Sequence, residues 1–147
     1  SCAWPQVIAL PSSVAQPKFP WSSMTTKDNQ LVLGIVGPCG SGKSTLIANL
    51  RALQAPYDLH HIAQEHSYVP DMWQRLVHPH VLIFLDASFQ TTLRRTRLNW
   101  NLEEYLEQHR RLSHARQFAD LYVQTDSLDP QQVLQVVLEY LTSLQFN

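Results

Sequence analysis

Two short stretches of the chain are uniformly apolar, Leu31-Val-Leu-Gly-Ile-Val36 and Val81-Leu-Ile-Phe-Leu85. Neither alternates with polar residues, so both read as strands of a parallel sheet covered on both faces. Elsewhere the apolar positions follow a helical period. Leu46, Ile47, Leu50 and Leu53 share one face of a helix expected over residues 43–54 and stopped by Pro56. A weaker strand is expected over about residues 58–64. Pro70-Asp-Met-Trp73 opens a short helix that ends before Pro79. Ser88 is the expected N-cap of a helix carrying Leu93 and the run Arg94-Arg-Thr-Arg97. Asn101 and Glu104 have capping-box spacing and open a helix with Leu102, Tyr105, Leu106 and Leu112 on one face. Leu121-Tyr-Val123 reads as a strand. Asp129 then caps, Pro130 takes the first helical position, and Val133, Val136, Val137, Tyr140, Leu141 and Leu144 form an apolar stripe. Strands alternating with helices predict an α/β fold, a three-layer αβα arrangement around a small parallel sheet of about four strands. The chain has no internal repeat.

Residues 1–23 break this pattern. They hold four of the nine prolines and Lys18 as their only charge. Proline at that density denies both helix and central strand. The apolar patch Val7–Leu10 is too short for a signal-peptide core and has no basic residue before it. Met24-Thr-Thr-Lys-Asp-Asn-Gln reads as a natural start. Residues 1–23 are therefore expected to be a disordered tail or a non-native extension, and residues 24–147 the domain. Composition narrows the class. A length of 147 residues suits one domain, and 44% hydrophobic with 16% charged residues excludes wholesale disorder. A formal charge of −1 leaves no electrostatic footprint for nucleic acid. The apolar runs fall far short of a membrane span. Cys2 and Cys39 are the only cysteines, which rules out a disulfide framework and a four-cysteine zinc site. A cytoplasmic setting without nucleic-acid or membrane partners is expected.

The chemistry lies in Gly37-Pro38-Cys39-Gly40-Ser41-Gly42-Lys43-Ser44, which fits G-x-x-x-x-G-K-[ST] between an expected strand and an expected helix. Gly37, Gly40 and Gly42 allow turns that a β-carbon would block, so that successive N–H groups face inward as an anion nest. The helix beginning here adds its positive end to the same phosphate. In such a loop Lys43 reaches the β- and γ-phosphates and the Ser44 hydroxyl ligates Mg²⁺. The expected ligands are ATP and Mg²⁺, held by residues 37–45, Thr45 included. No Asn-Lys-x-Asp guanine motif is present, which argues against a GTPase.

From about Leu31 to Leu144 the chain resembles the small-molecule kinase branch of the P-loop NTPases, the group of adenylate, shikimate and gluconate kinases. Besides the loop with Ser44-Thr45, Val81-Leu-Ile-Phe-Leu-Asp86 followed by Thr91-Thr-Leu-Arg94-Arg-Thr-Arg97 is similar to the family's strand ending in Leu-Asp and the helix leading to an arginine-bearing lid. Ala119-Asp-Leu-Tyr-Val-Gln-Thr-Asp126-Ser-Leu-Asp-Pro130 resembles the family's last strand, adenine-side loop and C-terminal helix. The chain departs from the family between residues 65 and 80, where too little sequence remains for the strand, crossover helix and acceptor module found there. The lid would span only residues 97–101.

The resemblance makes Arg94 and Arg97 candidates for stabilising the transferring phosphoryl group. Arg110 and Arg111 are expected to pair with Glu103 and Glu107 on a solvated face. Asp86 is a candidate Mg²⁺ ligand at the end of an apolar strand, although by strand order it matches a structural aspartate of the family. Glu65 lies just past the second strand, at the crevice where α/β ligands bind, and is a candidate base; the alternative is a solvated loop glutamate. His60, His61 and His66 invite a metal reading. Adjacent strand residues face opposite ways, however, and no cysteine or carboxylate pair has zinc spacing near them. Cys39 is read as a small loop residue, and Trp73 and Trp100 as packing residues. Together these features predict an ATP-dependent phosphotransferase acting on a small-molecule acceptor. The alternative is a nucleotide-binding switch or regulatory module with little or no turnover.

Overall fold

The computed structural model describes residues 30–96 and 99–145. The expected tail at residues 1–23 and the candidate Arg97 lie outside the described residues. Four strands form one sheet in the order β2-β1-β3-β4, and every pairing is parallel. They are β1 (Leu31–Val36), β2 (Tyr57–His61), β3 (Val81–Asp86) and β4 (Leu121–Gln124). The helices are α1 (Lys43–Ala52), α2 (Met72–Val77), α3 (Phe89–Thr96), α4 (Leu102–Arg111), α5 (Ser113–Phe118) and α6 (Pro130–Gln145). A single 3-10 turn, Gln64–His66, follows β2.

The uniform apolarity of β1 and β3 has the expected cause, because each face of the sheet carries its own core. Leu33, Ile35, Val81, Ile83 and Leu85 meet Leu46, Ile47 and Leu50 of α1 and Val133, Leu134, Val137 and Leu141 of α6. The opposite parity, Val36, Leu82 and Phe84, packs against Trp73, Leu112 and Ala115. The result is the three-layer α/β architecture that the pattern predicts. Local signals hold too. Asn101 and Glu104 close a reciprocal capping box on α4, each side chain meeting the other residue's backbone N–H at 2.9 Å. Asp129 and Gln132 do the same for α6, at 2.8 and 2.9 Å. The Ser88 hydroxyl accepts from Thr91 N at the start of α3.

Two expectations shift. The second strand runs Tyr57–His61 rather than about 58–64. It ends early because the fully buried Gln64 leaves the sheet and bonds elsewhere, donating to Val69 O and Arg111 O and accepting from Trp73 N. On α4, Leu102 and Leu106 are about half exposed, and the inward face is Tyr105, Gln108 and His109 with Leu112 beyond them. That face is polar because it packs on backbone groups. Tyr105 donates to Ala87 O at 2.6 Å and Gln108 grips residue 39.

Candidate functional site

The segment from Gly37 to Gly42 joins the carboxyl end of β1 to α1 at an interior position of the sheet. A β-carbon on Gly37, where φ is +156°, would sit 2.1 Å from Leu85 O of the neighbouring strand, so β1 and the loop could not approach β3 with any other residue. Gly42 is left-handed at φ +102° and forms the N-cap of α1 without a side-chain hydrogen bond. The first-turn N–H groups of α1 are thus left without a cap acceptor, which is the arrangement that receives an anion. Ser41 N donates to Pro38 O at 3.1 Å and closes the turn. Cys39 N donates to Gln108 Oε1 at 3.0 Å, pinning the loop to α4. Ser41 Oγ is buried without a hydrogen-bond partner among the described residues.

Lys43 opens α1 and turns back beneath the loop. Its ammonium donates to Gly37 O at 2.6 Å and Pro38 O at 3.1 Å, and lies 3.2 Å from Glu65 Oε2. Both side chains are about 5% exposed or less. Glu65 is therefore a buried partner of the loop lysine rather than a solvated glutamate. The 3-10 turn places it there, and Arg111 braces that turn by donating to Glu65 O at 3.2 Å. Arg111 also meets Glu107 Oε2 at 3.1 Å and stacks on Tyr68, so it is a strut between α4 and the site, beyond the solvated ion pair expected of it. Arg110 pairs with Glu107 as expected. Glu65 Oε1 is buried and has no partner among the described residues. Nearby, partial burial holds the His61 imidazole below its ordinary range, with Lys43 acting in the same direction and Glu65 opposing.

The Asp86 carboxylate is engaged by other groups. It shares the face of Leu82 and Phe84, toward α4 and α5. Oδ1 accepts from Ala87 N at 2.9 Å, Oδ2 accepts from Tyr122 OH, and His109 Nε2 lies 3.5 Å from Oδ1. Burial, then the Asp86 hydrogen bond and charge, push the Tyr122 phenol up to about 12. Ser44 and Thr45 are exposed on the first turn of α1. Arg94 donates to Thr91 of its own helix. Its neighbour Arg95 reaches across to Thr125, bonding both the hydroxyl at 2.7 Å and the backbone carbonyl, and to Gly40 O at 3.4 Å. Arg95 was not singled out by sequence, since adjacent helical residues in an arginine run differ only in the direction they face.

Beside the loop lies a cleft of about 480 Å³, lined by Gly40, Ser41, Gly42, Thr45, Arg95 and the Leu128–Pro130 turn, with Val133 behind. Its volume falls in the range of small-molecule sites. Trp73 is buried, with Nε1 donating to His114, and Trp100 donates to Thr92, so both pack as expected. Among the described residues no helix is long and apolar enough to cross a membrane. Compared with protein-family models, curated proteins and solved structures, the chain matches none.

Proposed function

We propose that this chain binds a nucleoside triphosphate, ATP, as its Mg²⁺ complex at residues 37–45, and transfers the terminal phosphoryl group to a small-molecule acceptor. The observation that carries the reading is the ammonium of Lys43, buried inside a glycine loop whose following helix has no side-chain cap. A triphosphate would occupy the nest, and Lys43 would exchange Glu65 for phosphate oxygens. The adjoining cleft has the volume for a nucleoside, with Arg95 and the turn before α6 as walls. The Ser44 hydroxyl, exposed at the helix start, suits Mg²⁺, which neutralises phosphate charge when bound. Asp86 does not suit it, because its carboxylate is engaged by Ala87 N and Tyr122 OH. Once Lys43 turns to phosphate, Glu65 becomes a carboxylate free to take the proton of an acceptor hydroxyl.

The second reading, a nucleotide-binding module with little turnover, draws on one observation. Between β2 and β3 the chain supplies only the 3-10 turn and the six-residue α2, and no acceptor-binding unit. ADP release measured across sugars, nucleotides and hydroxy acids separates the two. An acceptor that raises the rate at least tenfold, with the gain lost in Glu65→Gln, supports transfer. ATP binding without stimulation by any acceptor supports the module.

A further inference from the structure

Three potential metal ligands converge at the mouth of the glycine loop, two of them, Cys39 and Glu65, belonging also to the site described above. They are Cys39 Sγ, Glu65 Oε2 and His66 Nε2, all within 4.8 Å of one another. We propose that Cys39, Glu65 and His66 form a binding site for a thiophilic divalent cation of the Zn²⁺ type, with a fourth position open to water.

The distances suit the ion. Zn²⁺ bonds sulfur at about 2.3 Å and nitrogen and oxygen at about 2.0–2.2 Å, so a tetrahedral site has sulfur–nitrogen edges of about 3.6 Å and nitrogen–oxygen edges of about 3.3 Å. Cys39 Sγ lies 3.7 Å from His66 Nε2, and His66 Nε2 lies 3.6 Å from Glu65 Oε2. The third edge, from Cys39 Sγ to the Glu65 carboxylate, is within 4.8 Å and must close by up to about 1 Å, which the partly exposed loop thiol can supply by rotation about its Cα–Cβ bond. A thiolate with an imidazole excludes Mg²⁺, which takes oxygen ligands, and selects Zn²⁺ and its first-row neighbours.

The surroundings support the ligands. Gln108 donates from Nε2 to Cys39 Sγ at 3.3 Å, the outer-sphere contact a metal thiolate receives. Gln64 and Arg111 fix the backbone that carries Glu65 and His66. Glu65 is 3% exposed, and its Oε1 is buried with no hydrogen-bond partner among the described residues, so one carboxylate oxygen has unused acceptor capacity. Lys43 Nζ lies 3.2 Å from the other oxygen, Oε2, so a bound cation would share that oxygen with the ammonium or displace it toward Gly37 O and Pro38 O. Residue spacing along the chain conceals this site, because the thiol belongs to the loop after β1 and the other two ligands to the turn after β2. On binding, the Cys39 S–H bond breaks, the sulfur–metal bond forms, and the proton goes to water.

Cobalt(II) titration of the reduced full-length chain, in a Cys2→Ser background so that Cys39 is the sole thiol, tests the site. One equivalent should produce a thiolate-to-cobalt charge-transfer absorption, which Zn²⁺ abolishes and millimolar Mg²⁺ leaves unchanged. Loss of an outer-sphere partner alone weakens metal binding about 10–100-fold, so His66→Ala should weaken Co²⁺ at least tenfold. His66 is 59% exposed, and its removal does not threaten the fold. Cys39→Ser should abolish the band, and His60→Ala, removed from the cluster, should leave it intact. Absence of the band in the parent chain, its persistence in Cys39→Ser, or equal affinity in His66→Ala overturns the proposal.

Discussion

Lys43 and Glu65 are buried together at 3.2 Å, with side chains 5% and 4% exposed, so removing either charge should cost more than a surface pair would. Lys43→Met keeps most of the aliphatic stem and deletes the ammonium. Glu65 then retains His66 Nε2 at 3.6 Å on a largely exposed side chain, while its Oε1 stays without a partner among the described residues. Orphaning a buried charge costs about 3–5 kcal/mol, and the residual contact to His66 places this case near about 3 kcal/mol. The reverse change is milder. In Glu65→Gln the ammonium still donates to Gly37 O at 2.6 Å and Pro38 O at 3.1 Å, and the loss should be about 1–2 kcal/mol. The double variant buries neither charge and should cost less than the sum of the two by about 1–3 kcal/mol. Urea unfolding of all four proteins measures the cycle. In thermal melts, Lys43→Met should fall by about 12 °C, at about 4 °C per kcal/mol for a domain of this size. Single losses that add within about 0.5 kcal/mol, or a Lys43→Met protein as stable as wild type, would refute the reasoning.

Other expectations rest on single contacts. Gly37→Ala puts a β-carbon 2.1 Å from Leu85 O and should destabilise by at least about 3 kcal/mol, whereas Gly42→Ala meets open space and should cost only the left-handed penalty of about 1–2 kcal/mol; urea melts of the two compare steric clash with backbone strain. Arg95→Ala should weaken ATP several-fold and lower stability by about 1 kcal/mol, while Arg94→Ala changes neither, as calorimetry and melting will show. Burial holds the His109 imidazole below its ordinary 6.5, with Asp86 opposing and Arg116 assisting. The folded chain therefore binds fewer protons than the unfolded one below that pH. Its contribution is complete above pH 6.5 and is lost as pH falls through the lower folded value. Unfolding free energies at about pH 7.5 and about pH 5.5 should differ less in His109→Gln than in wild type.

Much of this architecture is local in origin and so legible in the sequence. Leu31–Val36 and Val81–Asp86 are apolar on both faces because helices cover both, and the two runs identify the central strands without any long-range knowledge. The cap at Asn101 and the turn into Pro130 are also local. The site was legible in part. The glycine loop is contiguous, and the position of Glu65 after a strand marks it as a candidate. That Glu65 is buried against Lys43, and not solvated, depends on Gln64, a residue whose type suggests the surface but whose side chain staples three backbone groups. The polar inner face of α4 stayed hidden for the same reason. Its hydrogen bonds to Cys39 and Ala87 span 69 and 18 residues, and amphipathic periodicity registers only apolar faces. Arg95 and Arg94 differ by one step around α3, so which of them reaches Thr125 follows from the exact phase of the helix.

The central claim, that the loop from Gly37 to Thr45 receives a triphosphate through Lys43, is tested most directly by titrating Mg²⁺·ATP into the wild-type chain and into Lys43→Met by isothermal calorimetry. The temperature is set where circular dichroism shows both folded. Wild type should bind one equivalent. Lys43→Met should bind about 10- to 150-fold more weakly, the equivalent of about 1.5–3 kcal/mol for a lost charge-assisted contact, because the nest and helix end remain while the cation is gone. Equal affinity in the two proteins, or no heat of binding in wild type at millimolar nucleotide, would contradict the account.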